Sequence, residues 1–262
     1  MERLCLIFFL VFYPLNTVAE NSSSEQCNTI TISAHPNYPP FHWRTETSLT
    51  GASIDVTSSI FRRLGLAVNI EYVGPWKRVL KSAELGKIDF IPALKKNAER
   101  QQYLHFTSTP FAANPVAVFV RVDDMPDVHS LDDLKGKFGS INAGDRHGEP
   151  VDSFVDSQHN MQRIHGLSQN FQMLKLERTD YFITSQLVGT EYIKANNIEH
   201  FFGAAIVFNS TEVHNAFTHA FATACPDIVA GFEKALATER SLGFVSSAIK
   251  NYGMQWAQLN AR

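Results

Sequence analysis

The feature that most constrains this chain is a change of hydrophobic period that recurs along it. Thr29-Ile30-Thr31-Ile32 alternates with period two and runs into Pro36, Pro39 and Pro40, which reads as a strand feeding a loop. Val56, Ile60, Phe61 and Leu64 then fall at helical spacing and stop at Gly65. Val68, Ile70 and Tyr72 alternate again. Trp76, Val79, Leu80 and Ala83 return to helical spacing, ending at Gly86, and Phe90-Ile91-Pro92-Ala93-Leu94 reads as another strand. This βαβαβ order predicts a mostly parallel sheet with helices on both faces.

A second stretch begins past Pro115. Val116 to Val120 reads as a strand, Ser130-Leu131-Asp132-Asp133 as a capped helix start, and Phe138 to Ile141 as a further strand. An internal echo links the two halves. Leu85-Gly-Lys-Ile-Asp89-Phe90-Ile91 matches Leu176-Glu-Arg-Thr-Asp180-Tyr181-Phe182-Ile183 as a helix end, an aspartate, then a buried strand. Two similar α/β lobes along one chain follow, and 262 residues suffice for both cores. Two amphipathic helices, Pro226 to Thr238 and Leu242 to Tyr252, close the chain.

The N-terminus is a different object. Arg3 precedes a run of ten apolar residues from Leu4 to Tyr13, which Pro14 and Asn16 break. Spanning a bilayer takes about twenty. With small residues at Thr17-Val18-Ala19, residues 1–19 read as a signal peptide, so the mature protein is expected to be exported. Export leaves Cys27 and Cys225 as an even pair where disulfides persist. They form either a bridge, contributing about 4–5 kcal/mol through so long a loop, or two buried thiols.

Several function classes fall away. A net charge of -3 gives no basic field for sequence-independent nucleic-acid binding. No CxxC, HExxH, GxSxG, P-loop or post-strand GxGxxG occurs. The ten histidines are scattered without metal-ligand spacing, and Asp152 with Asp156 reads as a solvated helix face. No catalytic residue, metal or cofactor is expected. A cleft between two such lobes is the default small-molecule site.

His35-Pro-Asn-Tyr38-Pro-Pro-Phe41, Leu49-Thr-Gly51 with Ile54-Asp55-Val56, Gly86-Lys-Ile-Asp89, Ala98-Glu-Arg100 and Phe106-Thr-Ser-Thr-Pro-Phe111 occur in the order seen in family 3 extracytoplasmic solute-binding proteins. Lys135-Gly136-Lys137 and the closing helix pair also resemble these polar amino-acid receptors of ABC importers. The resemblance implies the two-lobed type II periplasmic binding fold. Lobe I would be discontinuous, at 27–115 and 214–262, with lobe II at 116–213. Both mature cysteines would then lie in lobe I, which favours the bridge.

The resemblance also implies a ligand-contacting set of Tyr38, Trp76, Ala93, Lys95, Arg100, Arg146 and Ser185. Arg100 matches the arginine that clamps the ligand's carboxylate, a task suited to a planar fork of donors. Tyr38 and Trp76 fall where side chains sandwich the ligand's body, although Trp76 reads equally as a core anchor and Phe41 as core. Gly144-Asp-Arg146-His147 matches a turn that offers backbone N–H groups to the carboxylate. Where relatives place an aspartate for the ligand's ammonium, this chain has Ser185, with Thr184 beside it. With Lys95, Arg100 and Arg146 facing the cleft, the site reads as anion-favouring and suits a ligand without an α-ammonium. An α-amino acid fits if Asp145 or Glu149 supplies the acid or, in a shifted register, Asp180 or Glu191.

The resemblance therefore implies a periplasmic, monomeric protein that captures a small carboxylate-bearing solute, an amino acid or related organic anion, for an ABC permease. Two other readings stay open. One is an enzyme on the same fold, as in cyclohexadienyl dehydratase, which needs an acid/base carboxylate in the cleft. The other is a sensor reporting occupancy to a membrane partner.

Overall fold

The computed structural model describes residues 27–209 and 211–260. The expected signal peptide, 1–19, lies outside them. None of the described helices is long and apolar enough to cross a membrane.

The first half of the chain follows the period changes closely. Strand β1 (Thr29–Ile32) leads into a small antiparallel sheet of β2 (Asn37–Tyr38), β3 (His42–Arg44) and β4 (Leu49–Thr50). Helix α1 (Ala52–Arg63), β5 (Ala67–Ile70), α2 (Trp76–Glu84) and β6 (Phe90–Leu94) come next. A short 3-10 turn at Arg100–Gln102 then precedes the long strand β7 (Leu104–Ala113). Every residue of β6 is buried, as expected for a central strand covered on both faces.

The second half repeats the plan with β8 (Val116–Arg121), β9 (Gly139–Asn142), α3 (Val151–Ser157), β10 (Met161–Ile164), α4 (Leu167–Lys175), β11 (Tyr181–Ser185), α5 (Gln186–Ala195) and β12 (Phe202–Phe208). Strand β13 (Glu212–Thr218) and helices α6 (His219–Ala224), α7 (Pro226–Ser241) and α8 (Phe244–Asn260) complete the chain.

Two five-stranded sheets result, ordered β5-β1-β6-β13-β7 and β10-β9-β11-β8-β12. In each, three strands pair in parallel and two further strands add antiparallel pairs. The parallel pattern expected from βαβαβ thus covers the repeating part of each lobe. The antiparallel part comes from β8 and β13, which each enter a sheet directly from the other lobe. Segment 130–133, expected to start a helix, makes only a 3-10 turn with a capping box between Ser130 and Asp133. Gly136, at φ 77°, follows it.

The internal echo has a structural basis. Gly86 and Glu177 take the same left-handed conformation after their helices, at φ 65° and 55°. Asp89 then accepts the Thr31 N–H at 2.8 Å, and Asp180 accepts the Phe138 N–H at 2.8 Å. Each carboxylate ties its strand to the parallel neighbour in its sheet, β6 to β1 and β11 to β9.

The first lobe packs around Phe61, Phe90, Phe217 and Phe232, whose rings meet at 4.7–5.9 Å. Phe41 is fully buried, as expected of a core residue. The second lobe has Phe171 against Phe119, Phe182 and Tyr192. A disulfide joins Cys27, just before β1, to Cys225 between α6 and α7.

Two chain segments pass between the sheets and lie side by side. The Asn114 N–H donates to the Thr211 carbonyl at 2.9 Å, and the Thr211 hydroxyl donates back to the Asn114 carbonyl at 2.7 Å. The Asn114 side chain also bonds across the divide, donating to the Tyr38 hydroxyl at 2.7 Å and accepting from the Ser185 hydroxyl.

Candidate functional site

The cleft between the lobes is built from loops at the ends of the parallel strands, where α/β sheets usually place a ligand. The first lobe supplies His35 from the loop after β1, Tyr38 and His42 from the small sheet, and Trp76 from the start of α2. Ala93 and Leu94 at the end of β6, then Lys95 and Arg100, complete that wall. The second lobe supplies Asp145, Arg146 and His147 from the loop after β9.

The aromatic wall is continuous. The His35 ring lies 5.3 Å from Trp76 and 5.6 Å from Tyr38, and Tyr38 stacks on His42 at 5.5 Å. Trp76 is 5% exposed and also packs with Val79, Ala83 and Ile91, so the core and cavity readings of this residue hold together.

Arg100 spans both lobes. Its guanidinium donates to the Lys95 carbonyl at 2.7 Å and to the Gly144 carbonyl at 3.0 Å, and its carbon sits 5.4 Å from the Trp76 ring centre. A guanidinium carries five N–H donors, so three remain for a solute. The Trp76 indole N–H reaches the same Gly144 carbonyl at 3.2 Å. Glycine is required there. Its φ is 95°, and an added Cβ would lie 3.1 Å from Trp76 Cδ1.

Burial dominates the electrostatics. It lowers His35 and His147 to about 3, with nearby Arg100, and for His147 Lys95 as well, adding to the effect. His42 is lowered likewise, so all three imidazoles stay neutral. Burial raises Asp145 to about 6 and lowers Lys95 to about 7. The Lys95 ammonium donates to the Asn114 carbonyl. Two groups that titrate near neutrality thus share a cavity with a fixed cation.

The expected site residues separate into two groups. Tyr38, Trp76, Ala93, Lys95, Arg100 and Arg146 all line the cavity. Ser185 does not. It is fully buried at the start of α5, where its hydroxyl donates to Asn114 and accepts the Val188 N–H. Arg146 is not a free cation, because Asp156 holds it at 2.7 Å. Asp152, expected on a solvated face, instead accepts the N–H groups of His147 and Gly148 at 2.8 and 3.1 Å.

Of the candidate acids, only Asp145 lines the central cavity. Asp180 is tied to Phe138, and Glu191 lies 4.0 Å from Lys194. Sequence reasoning missed the three histidines. His147 lies over a hundred positions beyond His35 and His42 in the sequence, and only the facing loops after β1 and β9 bring it to their cavity. Among the described residues, no group of histidine, cysteine and acidic side chains is placed to hold a metal.

The central cavity holds about 20 Å³ for the centre of a water-sized sphere, room for roughly one water. A recess of about 450 Å³ adjoins it through Arg100, Asp145 and Arg146, and another of about 290 Å³ through Lys95 and His147.

Known proteins share this architecture and its sequence pattern. The fold is similar to that of an ancestral arginine-binding protein bound to arginine, with TM-score 0.72, 23% identity, and 86% and 98% of the two chains covered. A histidine kinase sensor domain with similarity to periplasmic binding proteins reaches TM-score 0.74 at 18% identity, with 87% and 97% covered. In sequence, a probable histidine-binding protein of Campylobacter jejuni is 23% identical, covering 97% of this chain and all of that protein. The L-cystine-binding protein TcyA of Bacillus subtilis is 21% identical, with 88% and 83% covered. Residues 30–254 match the model of one family over nearly the whole described chain, and the protein belongs to it: the bacterial extracellular solute-binding proteins, family 3.

Proposed function

We propose that this protein captures a small solute, an amino acid, in the periplasm, as a monomer, and delivers it to the permease of an ABC importer. In this reading lobe I comprises 27–115 and 214–262, lobe II comprises 116–213, and the solute binds between them. One observation carries the proposal: a buried cation, Arg100, and a buried acid, Asp145, line a single cavity walled by both lobes. That pair complements a zwitterion. Arg100 takes the carboxylate on its remaining donors and Asp145 takes the ammonium, while Tyr38 and Trp76 cover the apolar body. With Asp145 present and Arg146 held by Asp156, the amine-free ligand suggested by Ser185 is the weaker reading.

Entry requires movement. An amino acid exceeds the central cavity, so Trp76 and Arg100 must release Gly144 and the lobes must part, with hinge bending at the paired Asn114 and Thr211 segments. The test is a thermal-shift screen of amino acids against their 2-keto analogues and dicarboxylates, where a ligand at 100-fold its Kd stabilises by about 2.7 kcal/mol. An amino acid should raise the midpoint and its keto analogue should not. Equal shifts would remove the role given to Asp145.

A second reading rests on the same acid. A carboxyl poised near neutrality, as Asp145 is, can serve as the acid or base of a dehydratase-like lyase. Product release from prephenate or arogenate would mark that activity.

A further inference from the structure

His147 is 3% exposed, and its Nε2 has no hydrogen-bond partner. The rest of the residue is well anchored. Its N–H donates to Asp152, and the ring bonds to the Ile183 backbone in the sense that raises its basicity. A ring N–H donating to a carbonyl has that effect. Since Nε2 is unpartnered, the donor is Nδ1.

A neutral imidazole has one donor and one acceptor nitrogen, so the Ile183 carbonyl fixes Nε2 as a bare acceptor. The imidazole is neutral because burial, Lys95 and Arg100 all oppose its charging. Neither nearby cation reaches it: the Lys95 bond runs to the Asn114 carbonyl and the Arg100 bonds run to the Lys95 and Gly144 carbonyls, and none runs to Nε2. A buried acceptor left unmade costs free energy, and an orphan of this kind calls for an explanation.

Position supplies one. Arg100 and Asp145 are shared between the central cavity and the larger recess, whereas His147 and Lys95 are shared with the smaller one. A zwitterion held at the charged end sends its side chain toward His147. Resting on the amino-acid reading above, we propose that His147 determines specificity: its Nε2 accepts a hydrogen bond from an N–H or O–H on the side chain of the bound amino acid. The ligand class is then amino acids with amide, imidazole, guanidinium or hydroxyl side chains, not purely aliphatic ones.

The experiment is calorimetry with L-glutamine, L-histidine, L-arginine and L-serine against L-norleucine, on the parent protein and on His147→Phe and His147→Gln. The parent should bind at least one donor-bearing amino acid roughly tenfold or more tightly than norleucine. His147→Phe should shrink that preference to about threefold or less, and His147→Gln, whose amide oxygen accepts, should restore part of it. Nitrogen-15 NMR of the parent reads the same claim without any variant. The Nε2 of His147 should be unprotonated and should shift with the donor-bearing ligand but not with norleucine. A protonated Nε2, or a preference that survives His147→Phe, overturns the inference. Equal parent affinity for both classes overturns it alone, whereas no binding of any of these amino acids overturns the amino-acid reading together with it.

Discussion

Replacing Arg100 by alanine tests the site and the fold at once. Binding should suffer most. The guanidinium is the only described cation in the central cavity that stays charged well above neutral pH and is not held by a carboxylate, since Lys95 is lowered to about 7 and Arg146 is paired with Asp156. Losing a charge-assisted contact and leaving the solute's carboxylate buried costs about 2–5 kcal/mol, which is roughly thirtyfold to several-thousandfold in Kd. Stability should suffer less. The Gly144 carbonyl keeps the Trp76 donor, but the Lys95 carbonyl loses its Arg100 donor. An orphaned buried acceptor costs about 1–3 kcal/mol. Removal of a buried cation offsets part of that, so the net loss should be about 1 kcal/mol. Calorimetry with an amino acid that binds the parent protein measures the first quantity, and urea denaturation the second. Arg100→Lys should recover stability better than affinity, because an ammonium lacks the planar fork. Affinity within about twofold of the parent in Arg100→Ala would refute the assignment, because even the smallest contact argued here exceeds that.

Three further outcomes are expected. His35 and His147 are held neutral to about 3, so the stability they allow is present above the ordinary histidine value and lost as pH falls. At about pH 5 each should cost about 2 kcal/mol while Asp145, raised to about 6, returns about 1 kcal/mol, so the urea midpoint should drop between about pH 7.5 and 5; an unchanged or higher midpoint would contradict the burial argument. Lys95, lowered to about 7, should take up a proton when a carboxylate binds at about pH 8, giving a binding heat that depends on the buffer and an affinity that falls with rising pH; a buffer-independent heat would remove Lys95 from the site. Reducing Cys27–Cys225, which are separated by 198 residues, should cost about 5 kcal/mol of loop-closure entropy, and a loss under about 1 kcal/mol in urea would show that the reduced unfolded chain is already constrained.

Most of the fold was legible because the strand and helix periods are clean and the punctuation is physical. Gly65 and Gly86 stop their helices, and Asp89 and Asp180 tie equivalent strands. The antiparallel pairings were not legible, because no local pattern says that β13, far along the chain, inserts between β6 and β7. At the site, Arg100, Tyr38 and Trp76 were named as ligand contacts through motif order, and all three line the cavity. Ser185 was placed there by register alone, but its hydroxyl is engaged by Asn114 in a contact between distant segments. His35 and His147 stand in matched motifs but received no side-chain role, since a neutral imidazole in a cleft carries no spacing signature. Asp145 was weighed as an acid, but only the fold shows its burial, which sets its charge.

The placement of β13 governs the order in which the molecule can assemble. All five strands of the second sheet lie within one continuous stretch, 116–208, so that lobe can form from neighbouring elements. The first sheet cannot. Strand β7, from Leu104 to Ala113, pairs in its sheet only with β13, and therefore has no partner until Thr218 has joined. Pairings across such sequence separations form slowly, and exposed strands invite wrong partners while they wait. Cys225 follows β13 directly through α6, so the bridge to Cys27 ties the segment just after the late strand to the start of β1.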